Sequence, residues 1–150
     1  MAGLTHSNDT TGKDKKANGF RHFFNAYMSA AALAPVLSQH YGNDRKAYHL
    51  TADYTWGWTQ EQSMIAATEE LGWETVNAVR TPLSATTFSS LIAPVTNWGA
   101  DVLVLNHYGS NMVNSLTNAV QFGLRDKMVN GKQFEIVVPL YSRLMARGAG

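Results

Sequence analysis

Cysteine is absent from the 150 residues, which excludes disulfides and thiolate metal sites and leaves the redox compartment open. Charge of one sign is lacking too. The 12 Lys and Arg nearly cancel the 11 Asp and Glu, so no field draws the chain to nucleic acid or to an anionic membrane. Small neutral or zwitterionic partners suit that balance better. No apolar run approaches the roughly 18 residues of a membrane span, and Met1 to Lys16 is polar with no signal-peptide core. Neither GxGxxG nor GxxxxGK[ST] follows any strand-like run, so the backbone cradle for a dinucleotide or nucleoside triphosphate is missing. There is no GxSxG elbow, and the five histidines (His6, His22, His40, His49, His107) show neither HExxH nor another ligand spacing. Hydrolase and metal chemistry are not expected, and no cofactor is implied.

What is present is a regular alternation. At this length one domain is expected, burying roughly 70% of the surface of its unfolded chain. Residues 1–18 are rich in Thr, Asn, Asp, Lys and Gly and read as an extended or loosely ordered arm, leaving 19–150 as the folded lobe. From Phe20 to about His40, Phe24, Tyr27, Met28, Ala31, Leu33, Val36 and Leu37 recur at helical spacing, with Pro35 as an expected kink and Gly42 as the stop. A strand is predicted at Ala47–Ala52, a helix from about Trp58 to Leu71, and a second strand at Thr75–Arg80. Thr86 and Thr87 can cap a helix that carries Phe88, Leu91, Ile92, Val95 and Trp98 on one face and closes at Gly99. "DVLVLNH", Asp101 to His107, is almost wholly apolar, as in a strand covered on both faces. Ser110 opens a further helix ending at Gly123, "RDKMVNGKQ" reads as a polar loop, "FEIVVPL" as a fourth strand and "YSRLMARGAG" as the start of a last helix.

Such alternation implies an α/β fold, a three-layer αβα sandwich around a parallel sheet. Right-handed crossovers and the commonest winding for so few units give the strand order 2-1-3-4. Ligands of such sheets lie beyond the carboxyl ends of the strands where the order reverses, here between strands one and three. The loops at that point are Asp53 to Trp58, within "YHLTADYTWGWTQEQ", and Asn106 to Asn111. A phosphate-accepting receiver would carry its aspartate at Asp53, but the acidic pair and late lysine it needs are not found. The candidate ligand-binding residues are Tyr54, Trp56, His107 and Tyr108, since aromatic residues with polar tips on adjacent strand ends can stack on an apolar group and hydrogen-bond a polar one. Each has a plainer role beside that one: Tyr54, Trp56 and Trp58 as cover for the sheet edge, His107 as a hydrogen-bonded strand end.

The stretch from Phe20 to Leu124 resembles the second lobe of the type I periplasmic binding proteins of branched-chain amino acid and amide ABC transporters. The carriers are "DYTWG" after the first strand, "PLSATTFSSLI" after the second, "ADVLVLNHYGSNMVN" at the third and "QFGL" closing its helix, with "TGKDKKANGFR" like the segment that crosses into that lobe. In order and spacing the resemblance spans about residues 7–150. It implies a two-lobed, non-enzymatic receptor that closes on an amino acid, amide or related small solute and delivers it to a membrane permease, in the periplasm or outside the cell. It also implies that aromatic residues matching Tyr54 and Tyr108 line the cleft. Family members often carry a cysteine just after "TGKD", where this chain has Lys15. The first lobe and the later crossings of this one are missing, so the chain looks like a fragment in which Met1 opens either a truncated reading frame or an artificially cut piece. A ligand-sensing regulator of the same fold would look alike over this stretch. Self-association into a homo-oligomer is expected, because a lone lobe exposes its cleft aromatics and unfinished sheet.

Overall fold

The computed structural model describes Met1 and residues 5–149. After a 3-10 turn at Asn8–Thr11 the elements are α1 (Ala26–Tyr41), β1 (Lys46–Ala52), α2 (Thr55–Glu69), β2 (Glu74–Thr81), α3 (Ser89–Ile92), β3 (Val102–Asn106), α4 (Gly109–Gln121), β4 (Met128–Val129), β5 (Lys132–Gln133), β6 (Glu135–Val137) and α5 (Arg143–Ala149). Four strands form one sheet of order β2-β1-β3-β6, which is the expected winding. Every pairing in it is parallel: Leu50 on β1 lies between Val79 of β2 and Leu105 of β3, and Val102 of β3 faces Glu135 of β6.

Successive residues of a strand face opposite sides, and each side of this sheet has its own core. Tyr48, Leu50, Leu103 and Leu105 pack with Phe88, Ile92 and Val95 and with Ala119 of α4. Ala47, Val102 and Val104 pack with Ala30 and Leu37 of α1 and Met64 of α2. Helices α3 and α4 therefore cover one face while α1 and α2 cover the other. The central strands β1 and β3 are buried on both sides, and β3 is accordingly almost wholly apolar, whereas the edge strand β2 is partly exposed.

Four elements depart from expectation. Helix α1 starts at Ala26 rather than Phe20, because the Asn25 side chain accepts the backbone N–H of Met28 (2.9 Å) and caps it. Its buried stripe is Ala26, Ala30, Ala34 and Leu37, while Tyr27, Met28 and Val36 are exposed. Small residues at i, i+4 spacing let α1 pack closely, so the bulky residues point outward. Pro35 lies within the helix, which continues through it to Tyr41. The helix expected at 86–99 is instead the single turn of α3 followed by a 3-10 turn at Val95–Trp98. Pro94 lacks the N–H that would continue the ladder, and beyond it Trp98 is exposed. The fourth strand shrinks to Glu135–Val137, two residues short of Pro139, which cannot donate to a ladder. Within the expected polar loop, β4 and β5 form a small antiparallel hairpin whose turn residues Asn130 (φ 54°) and Gly131 (φ 73°) are both left-handed. Asn-Gly is the sequence signature of that turn.

Candidate functional site

Because β1 and β3 are parallel neighbours, their carboxyl ends emerge side by side, and each feeds a helix within three residues. The residues at the two helix entries are Tyr54 (φ −157°, ψ 171°) and Tyr108 (φ −141°, ψ 158°), both extended, and neither side chain bonds back to cap its own helix. Gly57 permits the tight entry into α2, since a Cβ there would stand 1.9 Å from the carbonyl oxygen of Ala52. Only hydrogen at that position lets the first helical turn lie against the end of β1.

One cavity of about 680 Å³ opens here, lined by Tyr54, Trp56 and Tyr108 together with His6, Phe23 and Phe24. Ring centroids of Tyr54 and Trp56 lie 5.7 Å apart, and Trp56 meets Tyr108 edge-on at 6.3 Å. His6, Phe23 and Phe24 form a second cluster with centroid separations of 5.1, 4.7 and 4.5 Å. Thr5, Ser7, Thr10, Tyr141 and Ser142 supply hydroxyls to the lining.

The second cluster depends on residues expected to be loosely ordered. Instead, the backbone N–H of Ala26 donates to His6 O (2.8 Å), and Asn8 donates to Ser63 Oγ (3.1 Å) while accepting from Tyr27 N–H (3.0 Å). Arg21 reaches back to the carbonyls of Thr5 and Ser7 and to Thr11 Oγ1. Sequence reasoning missed His6, Phe23, Phe24 and Tyr141 as cavity residues. The available signal was the Phe23–Phe24 pair directly ahead of Asn25, a strong helix cap that leaves Phe24 outside the helix although its spacing fits the helical stripe.

Among the described lining residues there is no Lys, Arg, Asp or Glu. Burial, and secondarily the Arg21 charge, lower the His6 pKa below the usual imidazole value, so the ring is neutral near pH 7. Burial, and then the neighbouring Tyr108, raise the Tyr54 phenol. The site therefore offers aromatic faces and neutral hydrogen-bonding groups. Among the described residues no cluster of three His, Asp or Glu could hold a metal ion.

Of the four residues expected to bind ligand, Tyr54, Trp56 and Tyr108 come together in the cavity, and His107 does not. Its side chain is fully buried. Nε2 lies 2.9 Å from Thr81 Oγ1 and Nδ1 lies 2.9 Å from Ser115 Oγ, with Phe88 packed on the ring at 4.9 Å. Burial lowers its pKa to about 4. The period of two explains the placement: Leu103 and Leu105 face the α3/α4 core, and residue 107 follows them. Trp58 is also elsewhere, its indole donating to Asp53 Oδ1 (2.8 Å) beneath the Arg80 guanidinium at 5.5 Å. A related polar group lies on the other face, where Asn106 donates to His49 Nδ1 and to Thr51 Oγ1, each at 3.2 Å. His49 is fully buried and its pKa is lowered to about 4 by that burial.

A family model described as periplasmic binding protein matches residues 2–140. No curated protein matches the chain. Among solved structures, a periplasmic binding protein from Burkholderia mallei is 22% identical with a TM-score of 0.84, over 96% of this chain and 36% of that one. A branched-chain amino acid ABC transporter protein from Thermus thermophilus with bound valine is 14% identical (TM-score 0.77; 98% of this chain, 37% of that one). A solute-binding protein of an ABC transporter from R. palustris in complex with 4-hydroxybenzoate is 24% identical (TM-score 0.64; 71% and 28%). The chain thus spans about a third of the length of these structures. Its sheet order and covering helices are those of a lobe of a type I periplasmic binding protein. With the model matching nearly its whole length, the chain belongs to the periplasmic binding protein family.

Proposed function

We propose that the chain supplies one lobe, the second, of the substrate-binding component of an ABC transporter, which captures an amino acid, amide or related small solute for uptake. The observation that carries this reading is the single cavity that unites Tyr54, Trp56 and Tyr108 from adjacent strand ends. Its volume of about 680 Å³ falls within the roughly 300–1,000 Å³ usual for small-molecule sites. The similar proteins with bound valine and 4-hydroxybenzoate are receptors for small molecules of this kind. In this reading residues 1–18 are the segment crossing between lobes, 19–150 the lobe itself, and the partners are a first lobe and a membrane permease. Its work is binding and closure in the periplasm, not catalysis, and His107 serves by fixing the strand end that presents Tyr108.

A closing lobe alone buries only part of a ligand. If the other lobe contributes about 4 kcal/mol, the chain by itself binds about a thousandfold more weakly than the two-lobed receptor. Calorimetry of branched-chain amino acids and amides against both forms tests the assignment. Weak binding by the chain, strong binding by the receptor and loss in Tyr54→Ala and Tyr108→Ala receptors are expected. Micromolar binding by the chain alone would refute the split site.

A further inference from the structure

From the cavity lining we infer that the ligand carries an aromatic ring or comparably flat apolar group, and that this lobe is the part that reads it. The inference rests on the solute-binding assignment and narrows its ligand class.

Seven rings line one space: Tyr54, Trp56 and Tyr108 from the strand ends, His6, Phe23 and Phe24 from the segment ahead of α1, and Tyr141 ahead of α5. Within each cluster the centroids lie 4.5–6.3 Å apart at tilted, stacked or edge-on angles, the spacings at which rings attract one another. A flat ring placed between them continues that pattern on both sides, whereas a branched aliphatic group gains area alone. The lining has no side chain to neutralise a charged headgroup among its described residues. Leaving such a group unpaired in an apolar setting is costly, so what enters these residues is the uncharged body of the molecule. Hydroxyls of Tyr54 and Tyr108 remain to bond a neutral substituent on its edge. Tyr108 is half-exposed and available to an incoming molecule, whereas Trp56 is almost wholly buried and acts as a fixed wall.

The decisive experiment uses pairs of probes that share a headgroup and differ in their body: phenylalanine and leucine, benzamide and isobutyramide, benzoate and isovalerate. Saturation-transfer NMR and tryptophan fluorescence titration of the chain detect millimolar binding. In at least one pair the aromatic member is expected to bind about tenfold more tightly, the sum of two or three favourable ring contacts. The ratio is expected to fall below about threefold in Tyr108→Leu and in Tyr54→Leu, which keep apolar bulk and lose the ring. Far-ultraviolet circular dichroism of both variants checks that they are folded. Equal or tighter binding of the aliphatic member in every pair that binds would overturn the inference and leave the solute-binding assignment standing. Absence of binding by every probe, to the chain and to the two-lobed receptor, would overturn both.

Discussion

His107 and Tyr108 are neighbours in the chain and opposites in the structure. The imidazole is wholly buried, bonded through both nitrogens and packed on Phe88. The phenol one residue later is half-exposed, touches Trp56 edge-on and lines the cavity. The contrast divides the carboxyl end of the sheet into two layers with different tasks. A buried polar layer, made of His107, Thr81 and Ser115 on one face and His49, Asn106 and Thr51 on the other, holds the strand ends together. An aromatic rim stands outside it, lines the cavity and, in the proposed reading, meets the ligand. Substitutions in the first layer should act on stability, and substitutions in the second on binding.

Acid should separate the layers most strongly. Both buried imidazoles have pKa values lowered from 6.5 to about 4 by desolvation. The folded state keeps them neutral, whereas the unfolded chain takes up protons near pH 6.5. Their contribution is therefore intact above pH 6.5, falls as the pH drops from 6.5 to 4, and changes no further below that. A shift of this size corresponds to on the order of 3 kcal/mol for each ring. Urea unfolding at pH 7.5, 5.5 and 4.5 should show a progressive loss, and His107→Gln should make the profile shallower. A flat profile across that window would mean that the two rings are solvated and that the polar layer is not closed.

Gly57 joins the layers, and Gly57→Ala is the next largest expected effect. The added methyl would meet backbone, the carbonyl oxygen of Ala52 at 1.9 Å, which a side-chain rotation cannot relieve. Displacing the first turn of α2 should cost about 3 kcal/mol or more, at the high end for overpacking, and should move Tyr54 and Trp56 with it. Stability and ligand binding should then fall together. Gly57→Ala with normal affinity would show that the rim does not depend on this close approach.

The layers were unequally legible. The buried strand β3 announces itself as an apolar run and β1 as a short strand-like run, and with the crossover rule they determine the sheet order and the place where the cavity opens. Tyr54, Trp56 and Tyr108 follow from that place, because the residues after a strand end have few directions available. His107 belongs both to the run "DVLVLNH" and to the loop Asn106 to Asn111, and only the alternation through Leu103 and Leu105 carries it to the buried α3/α4 face, away from the cavity. His6, Phe23 and Phe24 were hidden for another reason. Their positions depend on tertiary hydrogen bonds from Arg21, Asn8 and Ala26 that link distant segments, and no local period records such links. The outward turn of Tyr27 and Met28 is similar: helical spacing names two possible stripes on α1, and close packing selects the alanine one.

A smaller effect is expected from His107→Leu. The substitution removes two hydrogen bonds while Thr81 Oγ1 still reaches Thr51 O (3.2 Å) and Ser115 Oγ still donates to Met112 O (3.2 Å). Neither hydroxyl is orphaned, so the loss should be about 2 kcal/mol rather than the larger penalty of an unpaired buried group. Its measure is the urea midpoint at pH 7.5. Binding by the folded fraction should change little, since the ring does not line the cavity.

Tyr108→Ala should have the smallest effect on stability and a clear one on binding. With half its surface already in water, Tyr108 gives up limited burial, and its edge contact with Trp56 is worth about 0.5–1.5 kcal/mol. Its hydroxyl has no bond to the helix it precedes, so α4 loses no cap. The urea midpoint should therefore shift by less than that of His107→Leu, while ligand affinity falls by more. Measured side by side, the two variants test the division into layers directly. If Tyr108→Ala were the more destabilising of the two, the aromatic rim would be part of the structural core, and the cavity it lines would be a packing feature rather than a binding surface.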